Sequence, residues 1–159
     1  MKHIISVLVE NQPGVLARVI GLISGRGYNI DCLNVAPTQD VTTSRITMTV
    51  PGDDRVMEQV TKQLNKLVDV IKVFDLTERK YVDRELALVK VCCTAKNRAV
   101  VIKLAALCRA EIVAAQNKAM IIQVVGATDA VDNFMELIKS HGIVEVSRTG
   151  VIAMGKAEG

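Results

Sequence analysis

Aromatic residues are scarce in this sequence, which contains two Phe, two Tyr and no Trp. Proteins that stack nucleic-acid bases depend on such side chains, and so do large aromatic-lined pockets. A formal net charge of only +3 adds little attraction for a phosphate backbone. These deficits argue against nucleic-acid binding and against a large aromatic pocket.

Cysteine is also too scattered to suggest a metal site. The four cysteines, Cys32, Cys92, Cys93 and Cys108, form no Cys-x-x-Cys pair. Reduced, half-buried thiols are therefore favoured over a zinc site or a disulfide framework. Cys92 and Cys93 are adjacent on a predicted strand and should point to opposite faces of it.

Long hydrophobic runs are missing as well. The apolar run from Ile4 to Val9 is too short for the hydrophobic region of a signal peptide, and no run has the length of a membrane span. We therefore expect a cytoplasmic protein. Half of the 159 residues are nevertheless apolar, which suffices for the core of one mid-sized domain or two small ones.

The first half of the chain shows the periodicity of strand, helix, strand, strand, helix and strand. The strands are predicted at Ile4–Val9, Tyr28–Ala36, Arg45–Val50 and Val70–Leu76; the first helix carries apolar residues from Val15 to Ile23, and Asp53 caps the second. This order is the split βαβ arrangement of a ferredoxin-like domain.

The third predicted strand has the most regular alternation in the chain. Ile46, Met48 and Val50 share one face, and Arg45, Thr47 and Thr49 share the other. We therefore expect one buried face and one exposed polar face. The polar face is a candidate for contact with a partner protein.

A charged segment from Thr77 to Arg84 is interpreted as a linker, after which the second half repeats the same plan. Its strands are predicted at Leu86–Cys93, Ala110–Ala115, Ala119–Val125 and Ile143–Val151, and Thr128 is expected to cap its second helix. The expected fold class is α+β, with two ferredoxin-like βαββαβ domains in tandem at residues 1–78 and 84–159.

The turn from Asn11 to Gly14 is the best candidate for a ligand site. Gly14 has no Cβ, so a ligand can approach the backbone, and the unpaired N–H groups of the helix start suit a carboxylate. Asn11 and Asn29 each carry an acceptor and donors, so either can bind one end of a zwitterion. The residues alone leave alternatives open: a plain turn before a core helix, a local turn bond for Asn11, and a strand-entry role for Asn29.

Signatures of catalysis do not occur in the sequence, which has no nucleophile motif, glycine-rich phosphate loop or metal constellation. An acylphosphatase-like enzyme would need an arginine in its phosphate-cradling loop, whereas Arg18 comes a full helical turn later. In the second half, Lys96 and Arg98 precede a helix without a Pro-Gly turn, and solvated surface is the favoured interpretation. We therefore place a ligand only in the first domain.

The segment from Leu8 to Ile30, LVENQPGVLARVIGLISGRGYNI, closely resembles the small, regulatory subunit of acetohydroxyacid synthase (acetolactate synthase). The motif Glu-Asn-x-x-Gly-x-Leu alone would indicate only some ACT domain, but its continuation Arg-Gly-Tyr-Asn-Ile and the second domain narrow the resemblance to this subunit. It continues through Leu33–Thr38, Gln63–Val70, Arg84–Lys90 and Ile143–Gly150, and so spans nearly the whole chain. The first domain is identified as an ACT domain.

The resemblance implies a regulatory function without an active site. Such a subunit activates a thiamine-diphosphate-dependent catalytic subunit of branched-chain amino acid biosynthesis and confers feedback inhibition, usually by valine. It implies no cofactor in this chain, with thiamine diphosphate, magnesium and FAD in the catalytic subunit. It also implies a homodimer formed through the ACT domains, with effector sites at the interface.

The family's effector site maps onto six residues of this chain. Asn11, Gly14, Val15 and Leu16 would hold the effector's carboxylate at the helix start, and Asn29 and Ile30 of the paired chain would complete the site. Val15, Leu16 and Ile30 could also form an apolar wall for the side chain of valine.

Two other functions stay open at this stage. The first is a free-standing, amino-acid-sensing ACT protein that acts on another target. The second, more distant, is an enzyme on a ferredoxin-like scaffold, since this fold serves many functions.

Overall fold

Two antiparallel sheets, each with two helices, make up residues 2–77 and 79–156, the part of the chain that the computed structural model describes. The first half contains β1 (Lys2–Glu10), α1 (Val15–Ser24), β2 (Cys32–Pro37), β3 (Thr43–Pro51), α2 (Asp54–Leu64) and β4 (Val70–Asp75). The second half contains β5 (Tyr81–Cys92), α3 (Arg98–Leu107), β6 (Glu111–Ala115), β7 (Ala119–Gly126), α4 (Thr128–Lys139), β8 (Ile143–Arg148) and β9 (Ile152–Gly155). None of these helices has the length and apolar character that crossing a bilayer requires.

The first sheet has the strand order β2-β3-β1-β4, which is the ferredoxin-like order. Alternate residues of β1 and β3 point toward the helices and bury their side chains there, as their period of two predicts. The core combines them with residues spaced three and four apart on α1 and α2; its main members are Ile5, Val7, Val19, Ile23, Ile46, Met48, Val60 and Leu64.

The second sheet has the equivalent order β6-β7-β5-β8. The two halves also share an irregularity: the pairing of β1 with β4 shifts register after Leu8, and the pairing of β5 with β8 shifts after Lys90. The predicted α+β fold with tandem ferredoxin-like units is therefore confirmed. Cys92 is exposed and Cys93 is buried, as opposite faces of an extended segment require.

The end of the chain departs from the predicted domain division. The structure groups residues 2–82 with residues 151–156 in one compact unit, and residues 83–150 form the other. The strand predicted over 143–151 ends at Arg148 as β8. Gly150 adopts φ of 75°, and a separate strand, β9, follows beyond the predicted range. The predicted linker is also partly a strand, because β5 already begins at Tyr81.

The polar side chains of β3 do not form an open face. Thr47 and Thr49 are only 2% and 3% exposed, and β9 lies against β1 and β3. Val151 and Ala153 of the same terminal segment are buried with them. The proposed use of this face for a partner protein is therefore wrong for these two threonines, because the chain covers them itself.

Of the two helix caps that the sequence predicted, the structure contains the one at α2 and not the one at α4. Asp53 caps α2 as expected, accepting the backbone N–H of Val56 at 2.9 Å. Thr128, in contrast, is already inside α4, and its backbone N–H donates to Asp83 Oδ2 at 3.1 Å. The acceptor for this helix start therefore comes from β5, 45 residues away, which no local capping pattern can show.

Candidate functional site

The turn between β1 and α1 has a backbone that favours glycine at its last position. Gly14 adopts φ of 84° and stands directly before the first residue of α1. Residues with a Cβ rarely adopt this left-handed conformation. The chain therefore enters α1 through a residue that has no side chain to cover the helix start.

The N–H groups at the start of α1 are open. In the described residues, the backbone N–H groups of Leu16 and Ala17 have no acceptor, and the first turn contains no acidic side chain. Unpaired N–H groups and the positive end of the helix dipole favour an anion at this position. The arrangement can therefore bind a carboxylate through the backbone.

Asn11 is held beside this helix start by the loop before β3. Its backbone N–H donates to Thr42 O at 2.8 Å, and its side-chain Nδ2 donates to Val41 O at 2.9 Å. Asn11 therefore does make a hydrogen bond to nearby backbone, which was one of the alternative roles that the sequence allowed for it. Its Oδ1 accepts no hydrogen bond in the described residues, so the atom available to a ligand is an acceptor, which suits an ammonium group.

Asp40 organises the loop that holds Asn11. Its Oδ1 accepts a hydrogen bond of 2.6 Å from the Thr42 hydroxyl and one of 2.9 Å from the Thr42 backbone N–H. These bonds favour the charged carboxylate, and they lower the pKa of Asp40 below its ordinary value. The two bonds from Thr42 therefore favour the ionised form of Asp40.

Asn29 and Ile30 lie before β2, although the sequence predicted a strand that includes both of them. They occupy the loop between Gly27, with φ of 75°, and the start of β2 at Cys32. Asn29 Nδ2 donates to Asp31 Oδ1 at 2.7 Å, and this local bond competes with strand pairing. Asn29 lies three residues before the first residue of β2, so its interpretation as a strand-entry residue is wrong.

The six predicted residues form two groups within one chain. Asn11, Gly14, Val15 and Leu16 meet at the start of α1, whereas Asn29 and Ile30 follow its other end. Because α1 has ten residues, its two ends are about 15 Å apart. A single small ligand cannot touch both groups of the same α1.

The apolar members of the site differ in exposure. The Val15 side chain is 3% exposed and belongs to the core, so only its backbone borders the helix start. Leu16 and Ile30 are half-buried and leave part of their side chains accessible. These two residues, rather than Val15, can supply an apolar wall.

Arg18 lies beside Gly14, although the sequence suggested only that it comes a full helical turn too late for a phosphate-cradling loop. Its guanidinium pairs with Asp69 Oδ2, at 2.8 Å from Nε and 2.7 Å from Nη2. A Cβ on Gly14 would lie 3.1 Å from Arg18 Nη1. Helical side chains lean toward the N-terminus, and this lean together with the i, i+4 spacing is the signal that could have identified Arg18.

The corresponding turn of the second unit is built differently. Thr94 donates its backbone N–H to Asn97 Oδ1 at 2.7 Å, and Arg98 Nη2 donates to Gln116 O at 2.5 Å. Arg98 is therefore engaged locally, and no glycine opens this helix start. Within the described residues, no group of His, Cys, Asp and Glu side chains has the geometry of a metal site.

Comparison with known proteins assigns both halves of the chain. Residues 5–72 match the family described as the AHAS small subunit-like ACT domain, and residues 84–157 match the small subunit of acetolactate synthase. The chain belongs to the acetolactate synthase small-subunit family. The family resemblance found in the sequence is therefore confirmed, and with it a regulatory rather than catalytic subunit.

Individual members of the family match over nearly their whole length. A probable acetolactate synthase small subunit from Archaeoglobus fulgidus is 49% identical, with 97% of this chain and 96% of the relative covered. The small subunit of acetolactate synthase isozyme 3 from Escherichia coli is 42% identical, with 99% and 98% covered. The crystal structure of the small subunit from Thermotoga maritima superposes with a TM-score of 0.90 at 35% identity, covering 99% of each chain.

Proposed function

We propose that this small subunit activates its catalytic subunit and confers feedback inhibition by valine. The observation that supports the proposal is the open start of α1, where the unpaired N–H groups of Leu16 and Ala17 lie behind Gly14. A carboxylate fits these donors. The free Oδ1 of Asn11 supplies an acceptor nearby for the α-ammonium group of the same amino acid.

The effector site is completed by a second copy of the chain. Asn29 and Ile30 follow the far end of α1, so the copy that contributes them differs from the copy that contributes Asn11 and Gly14. A homodimer formed through the ACT domains brings the two groups together. Leu16 of one chain and Ile30 of its partner then contact the branched side chain of valine.

Effector binding shifts the dimer between arrangements that do and do not support the catalytic subunit. The shift is limited by the difference in affinity of valine for these arrangements, typically about 1–3 kcal/mol. The chemistry belongs to the catalytic subunit with its thiamine diphosphate, magnesium and FAD, and this chain carries none of these cofactors. Both subunits work in the cytoplasm.

The test is a calorimetric titration of the full-length chain with valine, using leucine, isoleucine and serine as comparators. We expect saturable binding near one valine per chain. Asn11→Ala should weaken it, and Gly14→Asp should abolish it, because the new carboxylate fills the anion position beside Arg18. Gly21→Asp is the matched control: it adds the same charge to α1 where an added Cβ meets no atom within 4 Å.

Reconstitution with the catalytic subunit tests regulation itself. The chain should raise acetolactate synthase activity and make it sensitive to valine, and Gly14→Asp should remove the sensitivity while keeping the activation. Equal inhibition through the parent and Gly14→Asp would show that valine does not bind at this turn. Failure to bind any thiamine-dependent catalytic subunit would instead favour a free-standing sensor.

A further inference from the structure

The guanidinium of Arg18 is only partly used by its ion pair. Nε and Nη2 both contact one oxygen of Asp69, whereas Nη1 has no acceptor in the described residues. The side chain is 50% exposed, so a ligand can reach Nη1 from solvent. An arginine fixed by a carboxylate through one edge keeps its remaining donors in a defined direction.

The free donor Nη1 of Arg18 lies beside Gly14, at the open start of α1. Nη1 lies 3.1 Å from the position that a Cβ on Gly14 would occupy. Gly14 stands directly before α1, in whose first turn the N–H groups of Leu16 and Ala17 have no acceptor in the described residues. A charged donor and a helix start with unpaired backbone donors therefore both adjoin Gly14, where a side chain would meet Arg18 Nη1.

We propose that Arg18 binds the carboxylate of the effector, and that Asp69 positions it for this role; the inference rests on the function proposed above. Nη1 donates a charge-assisted hydrogen bond to one carboxylate oxygen, while the helix start serves the other. Asp69 fixes the side chain before the ligand arrives, which lowers the entropy cost of binding. Asp69 also offsets part of the positive charge, so a neutral zwitterion with a local carboxylate is accepted.

Valinamide separates this role from a structural one. It keeps the ammonium group and the branched side chain of valine but has no carboxylate. Loss of Arg18 should therefore weaken valine binding and leave valinamide binding nearly unchanged. A purely structural arginine would affect the two ligands equally.

The experiment measures valine and valinamide affinities of the full-length chain for the parent, Arg18→Gln, Arg18→Lys and Asp69→Asn. We expect Arg18→Gln to weaken valine binding about tenfold or more, with less than a twofold change for valinamide. Arg18→Lys should restore part of the loss, and Asp69→Asn should fall between the parent and Arg18→Gln. Arg55→Gln removes an exposed arginine of α2 and is the matched control.

The outcomes distinguish this inference from the proposed function. If the parent binds valine and Arg18→Gln binds it equally well, Arg18 does not contact the carboxylate. Equal loss of valine and valinamide in Arg18→Gln and in Arg18→Lys would show that the arginine acts through folding. If the parent binds no amino acid, alone or with the catalytic subunit, the proposed effector function fails as well.

Discussion

The backbone N–H of Val151 donates a hydrogen bond of 3.0 Å to the thiol of Cys32, 119 positions earlier in the chain. Cys32 opens β2 directly after the loop with Asn29 and Ile30, and Val151 opens the segment that leads into β9. The terminal segment thus contacts the sheet of the first unit at Cys32, two residues after Ile30. Burial of Val151 and Ala153 shows that this contact is part of the folded core.

Shortening Val151 should destabilise the first unit selectively. Val151 is 3% exposed, so Val151→Ala removes two buried methyl groups and should cost about 2 kcal/mol. Met154 is 69% exposed on the same segment, so Met154→Ala should change stability by less than about 0.5 kcal/mol. Hydrogen exchange reads the effect locally: the amides of β3 should exchange faster in Val151→Ala, while those of β7 keep their protection. Equal exchange of β3 in both variants would contradict the assignment of this segment to the first unit.

Breaking the ion pair between Glu85 and Arg148 should destabilise the second unit. Arg148 donates to both carboxylate oxygens of Glu85, at 2.6 and 2.8 Å, and also contacts Asp132 at 2.8 Å. Hydrogen bonding to Glu85 contributes most to holding the pKa of Arg148 above its usual value, against the opposing effect of partial burial. Arg148→Met leaves the buried Glu85 carboxylate without its partner and should cost about 2 kcal/mol, less than for a fully buried pair because Arg148 reaches solvent.

The double variant Glu85→Met with Arg148→Met is the decisive comparison for this pair. It removes the charge that Arg148→Met leaves unpaired, and urea unfolding should therefore show it to be more stable than Arg148→Met alone. Additive losses in a double-mutant cycle would mean that the two residues are not energetically coupled.

Acid should loosen the loop that holds Asn11. The folded-state pKa of Asp40 is lowered, so the contribution of its carboxylate is present above the pKa of unfolded Asp, about 3.9, and is lost as the pH falls through the lower folded value. NMR titration of the Asp40 carboxyl carbon should give a midpoint below about 3.9. Thr42→Val removes the hydroxyl donor, which is the larger cause, and should move the midpoint upward. A midpoint that Thr42→Val leaves unchanged would show that the hydroxyl does not stabilise the charge.

Removing the side-chain cap of α2 should lower the free energy of unfolding by the contribution of one capping hydrogen bond. Asp53→Ala loses the acceptor for the Val56 N–H, and the expected loss is about 1 kcal/mol. Asp53→Asn keeps a side-chain oxygen that can accept the same bond, and its stability in urea unfolding should stay close to that of the parent. If both substitutions cost the same, charge at the helix start, rather than the hydrogen bond, would be the stabilising factor.

Local residue chemistry predicted most of the elements and the open start of α1. Alternation in β3 and the i, i+3, i+4 spacing of α1 and α2 depend on short-range geometry, and the fold follows from their order. The turn from Asn11 to Gly14 was predicted for the same reason, because a helix start without a side-chain cap can be recognised from adjacent residues. The family resemblance supplied the regulatory role, which the ferredoxin-like fold alone would not.

What the sequence determined by itself is therefore the βαββαβ plan of each half, the family, and a first turn that ends in glycine and leaves the start of α1 without a side-chain cap. Only the tertiary structure placed β9 in the first unit, buried Thr47 and Thr49, supplied Asp83 as the acceptor for α4, and directed Arg18 toward Gly14. The physical reason is the sequence separation over which each kind of interaction acts. Propensity and periodicity act over a few residues, whereas these contacts join distant segments or depend on where a long side chain turns, and packing of the folded chain decides both.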